Sequence, residues 1–311
     1  MMFQGILKFE VNTRGKRWRM AFGKAVRRAL PGFRLQPKLA FLFGRSVQIT
    51  VMRKKLNLDL RDEAVCSAMF ADGVWEPEET SFLSNTLQPG MVFVDVGAHI
   101  GYYTVIASDI VGNGGKVFAF EPDARNFSFL RENIIANHCQ NVIAEQKAVA
   151  ASSQKLLLYR SSSNFGDHRI YDPETDSTQF HGKGRSSIAV EAVSLDEYFR
   201  DIPVPIDLLK MDIQGSEYDA FLGMRALLQR NSNIVILTEF WPKGLLQAGA
   251  SPDVFLSEIR RCGFGVYRLH RGQPRETSDR DILQFLSSDA YMSLIFSRHS
   301  VCGRIPKNDG A

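Results

Sequence analysis

The run MVFVDVGAHIGYYTVIASDIVGNGGKVFAFEP, residues 91–122, leaves few options for what this chain can fold into. An apolar stretch, Met91 to Val94, leads to Asp95, and the chain then breaks at Gly97 and Gly101 before an amphipathic segment. A second apolar stretch, Lys116 to Phe120, stops at Glu121. Strand, tight turn, helix and strand in about 30 residues is the length of one βαβ unit. The expectation is an α/β fold built on a parallel sheet, with an acid at the tip of its second strand.

A glycine-rich first turn lets a ligand approach the backbone, and an acid at the second strand tip can accept both hydrogen bonds of a ribose diol. The dinucleotide pattern G-x-G-x-x-G needs a third glycine, but the position three beyond Gly101 is Thr104. Asp95 also lies two residues before Gly97, where negative charge opposes a pyrophosphate and suits an ammonium or sulfonium group. D-x-G-x-x-x-G followed by Glu121 therefore fits S-adenosylmethionine better than NAD. An ordinary α/β turn, with Asp95 as a helix cap and Gly97 as a turn former, is the bland alternative.

At 311 residues, 44% hydrophobic and 23% charged, the chain can bury one large core with a small appendage. Cys66, Cys139, Cys262 and Cys302 stand far apart with no C-x-x-C, so a reduced, cytoplasmic protein without structural zinc is expected. No apolar run approaches the roughly 18 residues of a membrane span, and no signal-peptide core opens the chain. Residues 1–60 hold 14 Lys or Arg against Glu10 and Asp59. Within them Trp18, Phe22, Val26 and Ala29 recur every three or four residues among basic ones, which predicts a basic amphipathic helix ending before Pro31. Such a helix packs on the main domain, lies peripherally on the inner face of an anionic membrane through residues 14–30, or meets nucleic acid, the least favoured partner.

One or two short strands are expected between Leu39 and Leu60, and a helix over 78–87 that covers a cofactor. Helical periodicity follows at 123–137, with strands at 142–145, 155–159 and 188–193. The polar stretch 160–187, carrying Phe165, His168 and Tyr171, reads as a lid or as disorder. IDLLKMD, residues 206–212, is a buried parallel strand ending in Asp212, with Gly215 and Glu217 beyond it and a helix over 218–229. Ile234 to Leu237 is the next strand, followed by Thr238 and Glu239. Ligands of open α/β sheets bind outside the carboxyl ends of the strands, so Asp95, Glu121, Asp212 and Glu239 are expected to face one crevice.

These blocks resemble the FkbM family of S-adenosylmethionine-dependent methyltransferases: residues 75–104, with GAHIGYYT; 115–137; VSLDEYF at 193–199; LLKMDIQGSE at 208–217; and ILTEF at 236–240. The resemblance implies a Rossmann-like seven-stranded methyltransferase sheet whose last strand, YMSLIF at 291–296, is antiparallel. It implies a catalytic domain over 75–300, preceded by a basic extension or cap at 1–74 and followed by a tail at 301–311. It further implies O-methyl transfer to a hydroxyl of a sugar, a glycoconjugate or a polyketide-type product.

On that reading Asp95, Gly97 and Gly101 place the methionine part of the cofactor, with Ala98 and His99 lending backbone groups. Glu121 holds the ribose and Asn126 lies near the adenosine. Adenine is met by backbone and apolar packing around Lys147 and Ala148. Asp212 is the expected proton acceptor, supported by Glu217 or Glu239, with His99 as an alternative base. Asp212 and Glu239 suit Mg²⁺ but have no third ligand, so no metal is expected. A nicotinamide-dependent oxidoreductase is the competing enzyme class, and a non-catalytic cofactor- or membrane-binding module the competing non-enzyme. A base-modifying RNA methyltransferase is disfavoured because Asp212 continues Ile213-Gln214-Gly215, with no Pro-Pro-aromatic turn to clamp a planar amine.

Overall fold

A computed structural model describes residues 7–13, 16–22, 46–172, 185–284 and 290–301. The chain opens with antiparallel strands β1 (Leu7–Thr13), β2 (Lys16–Phe22), β3 (Ser46–Val51) and β4 (Lys54–Asp59), in the order β2-β1-β3-β4. The amphipathic helix expected from Lys16 onward is therefore a strand over its first half, with Lys16 paired opposite Thr13. Leu7, Phe9 and Val11 alternate with polar residues, and Trp18, Met20 and Phe22 alternate with Arg17, Arg19 and Ala21. Trp18 and Phe22 satisfy a period of two as well as a helical one, and the shorter period is the one a neighbouring strand shares. Residues 23–30 of that expectation lie outside the described residues. No helix among the described residues is long and apolar enough to cross a membrane.

Next come α1 (Glu63–Asp72), α2 (Pro77–Thr86), β5 (Val92–Val96), α3 (Tyr102–Val111), β6 (Lys116–Phe120), α4 (Ala124–Ala136) and β7 (Val142–Glu145). The short β8 (Ala148–Val149) pairs with β10 (Ser186–Val193), which pairs with β9 (Gln154–Arg160) in a separate three-stranded sheet. After α5 (Leu195–Tyr198) and β11 (Leu208–Met211), the single helix expected over 218–229 is two short ones, α6 (Glu217–Leu222) and α7 (Arg225–Arg230). They part at Gly223, where any Cβ would overlap the Ala150 carbonyl. The chain finishes with β12 (Val235–Phe240), α8 (Pro242–Gln247), α9 (Pro252–Arg261), β13 (Gly265–His270), β14 (Gln273–Glu276), α10 (Asp279–Leu283) and β15 (Met292–Ser297).

The central sheet runs β14-β13-β15-β12-β11-β5-β6-β7. It has eight strands where seven were expected, because β13 folds back on itself through Arg271-Gly272 to make β14. As expected, β15 is antiparallel to its neighbour β12. Alternation sorts the apolar residues onto the two faces: Phe93, Val117, Leu208 and Leu237 enter one core, and Val94, Phe118, Leu209 and Ile236 the other. Both faces are covered, as a parallel sheet requires.

Two asparagines tie the N-terminal sheet to this frame. Asn133 on α4 and Asn137 at its C-cap, one turn apart, each bond both backbone groups of a β4 residue, Asn57 and Lys55 respectively. One helical turn of about 5–6 Å matches the spacing of alternate strand residues, so the two amides stand in for a partner strand.

Candidate active site

Register brings the acids together. Val96 pairs with Phe120 and Met211, and Met211 with Thr238, so the parallel strands end on one edge. The turn after β5 is pinned there by Gly97 and Ala98 N–H groups donating to the Phe120 carbonyl, and by Asp212 N–H donating to the Val96 carbonyl. Gly97 (φ +82) touches the Asp212 carbonyl, leaving no room for a side chain.

A cleft of two lobes opens at this edge. The first, about 530 Å³, is walled by Phe120, Pro122, Val149, Leu158, Phe165 and Ile213, with Glu121, Asn126, Lys147 and Ser216 as polar groups. The second, about 1090 Å³, holds Glu76, Tyr103, Lys210, Glu239, Trp241 and Tyr291. Gly97, His99, Asp212 and Gln214 border both.

Glu121 sits in the first lobe, where Oε2 accepts the His99 N–H at 2.8 Å and Oε1 the Asp123 N–H at 2.9 Å. Each oxygen keeps a second lone pair, the number a ribose diol requires. Burial pushes its carboxyl up to about 7, against the pull of His99 and the two N–H groups. The Ser216 hydroxyl, buried without a partner, lines the same lobe. Asn126 donates to the Phe165 carbonyl at 2.9 Å and so holds the lobe's roof.

That roof is formed by residues 161–172 of the polar stretch. It is fastened by the Arg125 guanidinium 3.7 Å above the Phe165 ring, by Arg160 on Asp123 at 2.8 Å, and by Tyr171 OH donating to the Gln214 carbonyl at 2.9 Å. Arg125 also binds Asp59 at the end of β4, which links the N-terminal sheet to the roof. Residues 161–172 are thus ordered as a wall of the first lobe; residues 173–184 lie outside the described residues.

Several expected contacts are placed elsewhere. Asp95 is buried beneath the turn, accepts from Thr104 Oγ1 at 2.6 Å, and does not line the cleft. Gly101 packs its bare Cα against Leu130. The Ala98 N–H is committed to Phe120, and the His99 N–H to Glu121. The His99 ring turns away to Asp62, with Nε2 3.2 Å from Oδ2; burial opposes its charge, but Asp62 holds it above the ordinary value. Glu217 lies under the 213–215 turn, accepting the Ile213 and Gly215 N–H groups at 3.0 and 3.2 Å.

In the second lobe both Asp212 oxygens are engaged, by Lys210 Nζ at 3.0 Å and Gln214 Nε2 at 2.9 Å. Burial works to raise the Asp212 carboxyl, yet the Lys210 ammonium brings it below the usual range, which makes it a weak base. Glu239, sharing the same Gln214 amide at 3.1 Å, is driven well above its usual range by burial and then by Asp212, Glu217 and Glu76. Lys210 and Glu76 join the site as residues with no expected role, although a lysine inside the apolar run LLKM signals buried partners. Its ammonium is buried, lies 4.6 Å over the Tyr103 ring, and is held charged against the cost of burial by Asp212, Glu76 and Asp95.

Glu217 carries a stability prediction. Burial raises it to about 7, so between about pH 4.5 and 7 the folded state binds more protons than the unfolded one. Stability should fall as pH rises through that window and stay low above it. Glu217→Gln removes this contribution, so its stability relative to the wild type should shift by about 2.5 kcal/mol in its favour between pH 5 and 8. Denaturant unfolding at both pH values measures it; a constant offset would show that Glu217 does not titrate there.

A model of the FkbM methyltransferase domain matches residues 95–289. No curated protein matches the chain. Among solved structures it is similar to methyltransferase FkbM from Methylobacillus flagellatus KT, at 18% identity over 76% of this chain and 52% of that one, TM-score 0.40. It is also similar to a SAM-dependent methyltransferase from Aquifex aeolicus, at 16% over 74% and 91%, TM-score 0.38. M. jannaschii TYW2, solved with AdoMet, is similar at 14% over 82% and 87%, TM-score 0.41. The domain model covers well over half of the chain: the protein belongs to the FkbM methyltransferase family.

Proposed function

We propose that the chain transfers a methyl group from S-adenosylmethionine to a hydroxyl oxygen of a sugar, a glycoconjugate or a polyketide-type product. The observation that carries this reading is the two-lobed cleft, with a ribose-type acid in one lobe, ionisable groups in the other, and side-chain-free Gly97 where they meet. Glu121 is suited to the ribose, and Phe120, Val149, Phe165 and Ile213 to the adenine faces. The Ser216 hydroxyl offers that lobe an uncommitted donor and acceptor. S-adenosylmethionine supplies an electrophilic methyl carried on a sulfonium leaving group. The residues of the second lobe align the acceptor oxygen with it, exclude water and accept a proton.

Isothermal titration of the full chain with S-adenosylmethionine and with NADH tests the reading. Micromolar binding of the former is expected, weakened about 10- to 100-fold in Glu121→Ala, the range for hydrogen bonds to a charged group. Affinity should also decline as pH falls below about 7 and Glu121 protonates. Preference for NADH, or unchanged affinity in the variant, would overturn it.

A further inference from the structure

The second lobe contains a carboxyl from outside the matched domain. Glu76 lies ahead of residue 95, at the N-cap of α2, with φ +40 and ψ 75, a left-handed conformation that non-glycine residues rarely hold. This backbone directs the side chain into the cleft, where Oε2 accepts the Tyr103 hydroxyl at 2.7 Å and Oε1 is left for another donor. Resting on the methyl-transfer reading above, we propose that Glu76, not Asp212, takes the proton of the acceptor hydroxyl, and that a cationic methyl donor arms it by driving the proton off its carboxyl.

Elimination within the lobe supports the assignment. Asp212 takes the Lys210 ammonium on one oxygen and the Gln214 amide on the other, and although each oxygen keeps a lone pair, the ammonium holds the carboxylate ionised and makes it a weak base. Glu239 is the most strongly neutralised of the three and serves better as a hydrogen-bond donor than as a base. Glu76 lies between these extremes. Burial, with Asp212 and Glu79 beside it, raises its carboxyl to about 7, against the opposing pull of Lys210. The groups that face it are Glu79 on its own helix, Tyr102 and Tyr103 on α3, Lys210 and Asp212 from β11, Glu239 from β12, and Tyr291 ahead of β15.

The proton balance closes over a cycle. The acceptor oxygen forms the C–O bond, the electrons of the C–S bond remain on sulfur, and the hydroxyl proton passes to the Glu76 carboxylate. Glu76 is then neutral beside a neutral thioether. The next donor restores a positive charge at the junction, and the carboxyl releases its proton to solvent.

Titration calorimetry in buffers of different ionisation enthalpy counts that proton. Glu121 responds to the ribose of S-adenosylmethionine and S-adenosylhomocysteine alike, so the difference between the two ligands isolates the response to the sulfonium. The wild type at pH 7 should release up to about half a proton more with the methionine ligand, since a group near 7 is half protonated there. Glu76→Gln, whose amide oxygen still accepts from Tyr103, should lose that difference while binding S-adenosylhomocysteine within about threefold of the wild type. Glu239→Gln should keep the difference. Loss in Glu239→Gln with retention in Glu76→Gln would overturn the assignment, as would equal proton release for two ligands that both bind. Failure of either ligand to bind would overturn the methyl-transfer reading, and the assignment with it.

Discussion

Gly97→Ala should destabilise the fold by roughly 2–4 kcal/mol and abolish binding of the methyl donor. A Cβ at this position would overlap the Asp212 carbonyl oxygen and approach Ile213 Cγ2 to 3.1 Å. The obstructing atom is backbone, fixed by the Asp212 N–H bond to Val96, so relief requires β5 and β11 to separate at the mouth of the cleft. The left-handed φ of +82 adds its own cost, about 1 kcal/mol for any residue with a side chain. Gly101→Ala shares that conformational cost at φ +85, but its Cβ meets Leu130 Cδ1 at 2.5 Å, the end of a side chain that can change rotamer. It should lose about 1–2 kcal/mol and retain donor binding. Gly249→Ala, at φ +82 just past α8 with nothing within 4 Å, should lose only the conformational part. Denaturant midpoints and calorimetry on the three variants test the ranking; equal losses would mean that the approach of Gly97 to Asp212 is not what the glycine provides.

This ranking also shows how much of the site could be read in advance. D-x-G-x-x-x-G placed the turn correctly, because only a strand followed by a helix satisfies that pattern beside a second strand ending in Glu121. The pattern does not reveal which neighbour each glycine accommodates. Gly97 faces a strand 115 residues later, and Gly101 faces α4, so neither is free to cradle a ligand on both sides. The acids show the same limit. Period and strand ends put Glu121, Asp212 and Glu239 at one edge, while the submerged position of Asp95 follows from its place inside β5 and its bond to Thr104. Glu217 looks like a cleft residue in D-x-x-G-x-E, yet the backbone N–H groups of the intervening turn capture it. The basic N-terminal segment was misread for a different reason. Residues spaced by four satisfy both helix and strand periods, and the deciding information was the alternation in residues 7–13. Glu76 could not be assigned from sequence, because its approach to Lys210 depends on the α2 entry angle and on pairing between β5 and β11.

Lys210→Met should cost about 3–5 kcal/mol at pH 8, among the largest effects of any single substitution in this chain, and much less at pH 5. Methionine fills nearly the same volume, so packing accounts for little of the difference. The dominant loss is electrostatic. Asp212 is left with the Gln214 amide and the more remote His99, and Glu76 and Asp95 lose the cation that offsets their burial. In the wild type, Lys210 holds Asp212 below the usual carboxylate range, so that contribution is present at neutral pH and is lost only as the solution turns strongly acidic. In the variant, burial is opposed only by the Gln214 amide and the more remote His99 and raises Asp212, so the folded state takes up a proton as pH falls and the penalty shrinks. The gap between wild type and variant should therefore narrow from pH 8 to pH 5, a direction that a packing defect would not produce. Lys210→Met combined with Asp212→Asn should recover part of the loss at pH 8, because the amide needs no counter-ion. Denaturant unfolding of both variants at the two pH values measures this. A gap independent of pH, or no recovery in the double variant, would mean that Lys210 fills space in β11 and does not neutralise the acids around it.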